Sequence, residues 1–149
     1  NGKKIISTLN KNPNLIGHYT FDESYEKDSS GHKNHLNGYI EYGPSYNIKG
    51  NSAYFSGNDM LTIKHNNEDY KGSDLSISFW IYLLEDSTDN WRTIINKGNN
   101  IQELTPTIML WPKERRLHIR SSTEIFWNEG IESIGIINMK QWTLITVIF

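Results

Sequence analysis

Leu75-Ser76-Ile77-Ser78-Phe79-Trp80-Ile81-Tyr82 is the stretch on which the reading of this chain turns. Side chains alternate across an extended backbone, so Leu75, Ile77, Phe79 and Ile81 share one face and Ser76, Ser78, Trp80 and Tyr82 the other. The first set is a core face, and the bulk of Trp80 and Tyr82 on the second implies partial cover on both sides. Shorter blocks of the same period surround it: Leu15 to Phe21, Leu36 to Tyr42, Ser52 to Phe55, Met60 to Lys64, Arg92 to Asn96, Thr107 to Trp111 and Leu117 to Arg120, while in Trp142 to Phe149 both alternate sets are largely apolar, the mark of a strand covered on both faces. Turn residues fall between them in Asp28-Ser29-Ser30-Gly31, Lys49-Gly50-Asn51, Ser56-Gly57-Asn58-Asp59, Lys97-Gly98-Asn99-Asn100 and Pro112-Lys113-Glu114-Arg115. No stretch keeps the apolar stripe of a helix, and only Asn66 to Lys71 suits a single turn. The fold class that follows is all-β, an antiparallel β-sandwich of jelly-roll type. Residues 1–14 read as a lead-in and 15–149 as the sandwich domain.

Composition agrees. At 149 residues there is room for one ordinary domain, and 36% apolar residues with five Trp, eight Tyr and five Phe suffice for a core. Fifteen Lys plus Arg against seventeen Asp plus Glu, with no long run of either sign, lack the basic footprint of a nucleic-acid binder. The apolar run from Leu144 to Phe149 is interrupted by Thr146 and falls far short of the roughly 20 residues of a membrane-spanning helix, so no membrane insertion is expected. The absence of cysteine removes disulfides, thiol nucleophiles and zinc–thiolate sites together. The chain opens on Asn1-Gly2-Lys3 without Met and closes on an apolar strand, and it reads as part of a larger polypeptide.

The order of the blocks carries a resemblance. Leu15-Ile16-Gly17-His18-Tyr19-Thr20-Phe21-Asp22-Glu23, then Asp28-Ser29-Ser30-Gly31, then Leu36-Asn37-Gly38, resembles the opening of laminin-G-like jelly-roll domains of the concanavalin A-like lectin/glucanase superfamily. Ala53-Tyr54-Phe55-Ser56-Gly57 is similar to that family's aromatic-Asp-Gly turn, with Ser56 in place of Asp. Leu75 to Tyr82, Ile94 to Gly98 and Gln141 to Val147 resemble its later strands. Relatives continue past the position of Phe149 with further strands. The resemblance therefore implies a sandwich that is incomplete at the C-terminus, with missing strands that complete it and whose absence leaves residues 1–149 prone to aggregate. It also implies a secreted or cell-surface binding and adhesion module rather than an enzyme, with a glycan or protein as partner.

Candidate sites follow from chemistry and from that likeness. Asp28 and Asn34, in the Asp28 to Gly38 loop, supply hard oxygen ligands suited to calcium, and the loop resembles the calcium loop of many relatives. The plainer alternative is an Asx-type turn closed by Gly31. His32 and His35 flank the loop, but no third ligand at fixed spacing supports zinc. Glu124, Glu129 and Glu132 lack the spacing that sets the carboxylates of superfamily glucanases on one strand face, which argues against glycoside hydrolysis. For sugar binding, aromatic rings beside polar readers are the signal, and Trp91 with Arg92 and Trp127 with Asn128 are the leading pairs. Trp111 and Tyr82 follow them. Each is equally open to a packing role, and packing is the expectation for Trp80 and Trp142.

Overall fold

A computed structural model of the chain describes residues 13–66, 69–70, 74–98 and 102–149. Its described residues hold ten strands and no helix, and every ladder is antiparallel. The chain divides into two compact units, Asn1–Ser73 and Asp74–Phe149. The lead-in lies outside the described residues up to residue 12.

In the first unit, β1 (Leu36–Gly38) pairs with β4 (Leu61–Ile63), and β2 (Glu41–Pro44) pairs with β3 (Asn51–Tyr54). The block read as a single strand from Leu36 to Tyr42 is thus two. Gly38, at φ +133, ends β1, Ile40 turns inward to near-complete burial, and β2 joins a different ladder. Leu15 to Phe21 forms no ladder at all. Its backbone is satisfied by the loop that follows: the His18 N–H donates to Asp28 Oδ1 and the His18 carbonyl accepts from Ser29 N–H. Phe21, at φ +62, closes the extended run. Of the single turn expected at Asn66 to Lys71, residues 67, 68 and 71 lie outside the described residues. Within it the Tyr70 N–H donates to the Asn66 carbonyl over 3.1 Å.

The second unit is a two-layered sandwich. One layer is β5 (Ser76–Tyr82) against β10 (Trp142–Ile148); the other, in spatial order, is β6 (Arg92–Asn96), β7 (Thr107–Leu110), β8 (Arg116–Ser121) and β9 (Glu129–Ile136). Between them Ile108, Leu110, Leu117 and Ile119 from one layer meet Val147, Phe79, Ile81 and Ile145 from the other, with Leu83 and Ile137 joining from the connections. Alternation along β5 is as read: Ile77, Phe79 and Ile81 are half-buried and Ser76, Ser78, Trp80 and Tyr82 exposed.

One expectation is corrected here. The strand from Trp142 onward is expected to be covered on both faces, yet Leu144 and Ile148 are 51% and 78% exposed. Both register with the outer face of β5, Leu144 opposite Trp80 and Ile148 opposite Ser76, so their apolar character does not imply burial in this unit. Trp80 shares that outer face, and Trp142 rests against Tyr82 with ring centroids 5.3 Å apart.

Candidate binding site

The outward face of the four-stranded layer is the chemically richest surface of the second unit. Register sets Met109 opposite His118 and His118 opposite Glu132, so β7, β8 and β9 present these side chains on one face while Ile108, Leu117 and Ile119 point to the core. Trp111, just past the end of β7, and Trp91, just before β6, close over His118. The Trp91 and Trp111 ring centroids lie 4.6 Å apart, Trp91 and His118 4.7 Å, and Trp111 and His118 5.0 Å. His118 is buried under the two indoles, whereas Trp91 keeps 43% of its surface open to solvent.

Glu132 ties the cluster together. One carboxylate oxygen accepts from Trp111 Nε1, and the other accepts from Arg120 Nη2 and, at 2.9 Å, from His118 Nδ1. Arg120 also donates through Nη1 to the carbonyls of Ile119 and Ile131, at 2.9 and 3.0 Å. Burial pushes the Glu132 carboxyl up, but the hydrogen bonds from Trp111, Arg120 and His118 outweigh it and hold the group below the usual carboxylate range. Burial also depresses His118, with the Arg120 charge acting in the same direction, against the opposing hydrogen bond to Glu132. The neutral ring therefore carries its proton on Nδ1, toward the carboxylate. Gly130 permits the close approach of β9 to β8 that makes this register possible. It sits at φ +156, and a Cβ there would lie 2.0 Å from the Ile119 carbonyl oxygen.

A carboxylate anchored by three donors is built to hold geometry. The outcome is a half-exposed Trp91 indole beside a Glu132 carboxylate whose oxygens are both engaged. Such surfaces suit the apolar face of a pyranose, with polar groups at the rim.

The residues singled out from sequence fare differently. Trp91 belongs to the cluster, and Trp111 with it. Arg92 does not, although it adjoins Trp91: it pairs with the core residue Leu110 and so faces the opposite side. Its Nη1 donates to the Asp86 carbonyl at 3.2 Å. Adjacent strand residues alternate, which is why Trp91 and Arg92 never act as a co-facing pair. Trp127 and Asn128 lie in the β8–β9 connection, where the Trp127 ring stands 6.0 Å from Phe126 and the Trp127 carbonyl accepts from Ser122 Oγ. Glu132 and His118 were missed as site members. The only signal for them is the β8–β9 register, since a strand at Glu129–Ile136 is masked by irregular apolar spacing around Gly130 and Gly135.

Asp28 and Asn34 are both buried in the first unit, and their geometry is that of a closed turn. Asp28 Oδ1 accepts from the N–H groups of His18 and Ser30, at 3.0 and 2.8 Å, and Oδ2 accepts from Ser30 Oγ and the Asn34 N–H, at 2.8 and 2.9 Å. Asn34 Nδ2 donates to the Ile16 carbonyl and to Asp69 Oδ2. Burial raises the Asp28 carboxyl and the hydrogen bonds from Ser30, His18 and Asn34 lower it by more, leaving it below its ordinary value. Gly31, at φ +93, makes the turn between the donors. Four protein donors already fill the lone-pair directions a calcium ion would need, so the residues present fit the Asx-type turn and not the metal. Among the described residues no group of three or more His, Asp or Glu is arranged to hold a metal ion. No helix among them is long and apolar enough to cross a membrane.

Set against family models, curated proteins and solved structures, the chain matches none, so the laminin-G-like likeness stands on the order of its own motifs.

Proposed function

We propose that the chain is a non-catalytic binding module of laminin-G-like jelly-roll type, part of a larger extracellular or surface protein, and that it recognises a glycan through the Trp91 platform. The half-open Trp91 indole, backed by Trp111 and His118 and locked by Glu132, carries this reading. An exposed indole stacked on other rings keeps its orientation before ligand arrives, so little ordering remains to be done on binding. Glu132 organises the floor, because its oxygens are already engaged by Trp111, Arg120 and His118.

The test is a glycan array with the purified protein, followed by titration of the best hit into Trp91→Ala and Trp127→Ala. Loss of binding confined to Trp91→Ala supports the assignment. Equal loss in both, or a hit unaffected by either, removes Trp91 from the site.

A second reading, a structural domain that packs against neighbours in a multidomain protein, draws on the outer face of β5 and β10. Trp80, Tyr82, Leu144 and Ile148 are exposed there side by side. A surface of that kind favours a protein neighbour over solvent. An array without hits, together with association through that face, would favour it.

A further inference from the structure

A second recess lies in the first unit, independent of the Trp91 platform. It is a cleft of about 200 Å³ between the loop that precedes β1 and the end of β4, lined by His32, Lys33, His35, Lys64 and His65 together with two asparagines. Among the described residues no carboxylate lines it, and the described acids beside it, Asp28 and Asp69, are committed elsewhere. Asp28 gives both oxygens to its own loop, as described above. Asp69 accepts from His32 Nδ1 at 2.6 Å on one oxygen and from Asn34 and Asn66 side-chain amides, at 2.9 and 2.8 Å, on the other. The His32 and Asp69 side chains are almost entirely buried, so this carboxylate is engaged by its hydrogen bonds beneath the surface.

What the lining presents is a set of donors. His35 Nδ1 accepts the Asp28 N–H at 3.1 Å, which leaves the proton of the neutral ring on Nε2. The loop folds back through Gly31 and through Lys33, whose φ of +63 is a costly conformation for a residue with a side chain. That fold is what brings residues 32 to 35 together along one wall, with Lys64 and His65 at the end of β4 opposite. Lysine and histidine residues lining a small recess, with Asp28 and Asp69 held by their own hydrogen bonds, match the charge and hydrogen-bonding needs of a tetrahedral or planar oxyanion.

We infer that this cleft binds a compact oxyanion, a sulfate, phosphate or carboxylate group, held by Lys33, Lys64 and His35. The experiment is a titration of the full chain with sodium sulfate, ionic strength held constant with sodium chloride, read on the imidazole nitrogens by long-range proton–nitrogen NMR. Saturable shifts at His35 and His65 are expected. The Lys33→Gln/Lys64→Gln double variant should bind about tenfold more weakly, as loss of charge-assisted contacts implies, while Lys27→Gln, which lies outside the lining, binds as the parent. Circular dichroism of the double variant checks that the exposed substitutions leave the fold intact. A sulfated disaccharide and its unsulfated parent then separate the sources. Tighter binding of the sulfated sugar than of free sulfate places the anion on a glycan, and equal binding makes the cleft a site for the free ion. Shifts that grow without saturating, shifts unchanged in the double variant, or equal binding of the unsulfated sugar would overturn the inference.

Discussion

The two units are held together by opposite means. In Asp74–Phe149 the buried set is almost wholly apolar: Leu83, Ile108, Leu110, Leu117, Ile119, Ile137 and Val147 form one cluster between two sheets. In Asn1–Ser73 the buried hydrophobics among the described residues are Leu36 and Ile40, while Asp28, Ser30 and Asn34 are buried beside them. Its strands run to three or four residues, too short to bury much side-chain area. A carboxylate gathering four donors takes over the organising role that apolar burial has in the other unit. The contrast teaches where each unit is vulnerable: one to lost volume, the other to a lost acceptor.

The sharpest way to break the comparison is a cavity. Ile108 is fully buried at the centre of the second unit, and Ile108→Ala should cost about 2 to 5 kcal/mol, from lost transfer energy and an unfilled void. Chemical denaturation measures it, and a loss below about 1 kcal/mol would mean that the cluster is not the core it resembles. Asp28→Ala comes next, at about 1 to 3 kcal/mol, because buried N–H groups lose their acceptor without gaining another. Hydrogen exchange should then quicken at His18, Ser30 and Asn34 while amides of β7 and β8 keep their protection. Uniform loss of protection throughout would show that the two units unfold as one.

How much of this was legible in the sequence follows the same divide. Strict alternation carries β5, and the blocks at Arg92 and at Trp142 match β6 and β10, since β10 pairs along its length with β5 and β6 pairs with β7 at both ends of a register shift at Ile94. Leu15 to Phe21 alternates as well, yet its backbone partners are a side-chain carboxylate and a turn, which no periodicity reveals. The Glu129–Ile136 strand went unread because Ile131, Ile134 and Ile136 change parity midway, and the register of β9 on β8 also shifts. The site suffered for it. Trp91 announces itself as an aromatic at a polar border, but Glu132 acquires meaning only when the β8–β9 register sets it opposite His118.

Acid should separate the two units more gently. His118 has a folded pKa below its ordinary 6.5, so as pH falls through that value the unfolded chain takes up a proton that the folded ring resists. Stability is fully present above that pH and declines below it until the folded ring protonates too. Asp28 and Glu132, both depressed, contribute stability that is present above their ordinary 3.8 and 4.5 and lost as pH falls through their lower folded values. The second unit should therefore lose protection first on acidification, and His118→Gln should remove its early phase while leaving the later one. Simultaneous loss in both units at mildly acid pH would contradict the assignment.

The smallest expected effect on stability is the most informative about function. Trp91 lies at the edge of β6, with 43% of its surface open, and its ring contacts are to Trp111 and His118 rather than to the apolar cluster. Aromatic pairs of this kind contribute about 0.5 to 1.5 kcal/mol beyond their buried area, so Trp91→Ala should lower the denaturation midpoint only slightly. Uncovering His118 adds a second consequence. With its indole roof removed, the ring is more hydrated, the burial that depresses its pKa weakens, and the early acid phase, which runs from 6.5 down to the folded value, should shrink. The same substitution removes the open ring on which a sugar would stack. A residue kept for packing would show the reverse balance, a large loss of stability with no effect on any ligand. Trp91→Ala thus distinguishes a platform from a plug in one pair of measurements, a denaturation curve and a glycan titration. A fall in stability as large as that of Ile108→Ala would return Trp91 to the core and leave the sheet face without its ligand-facing ring.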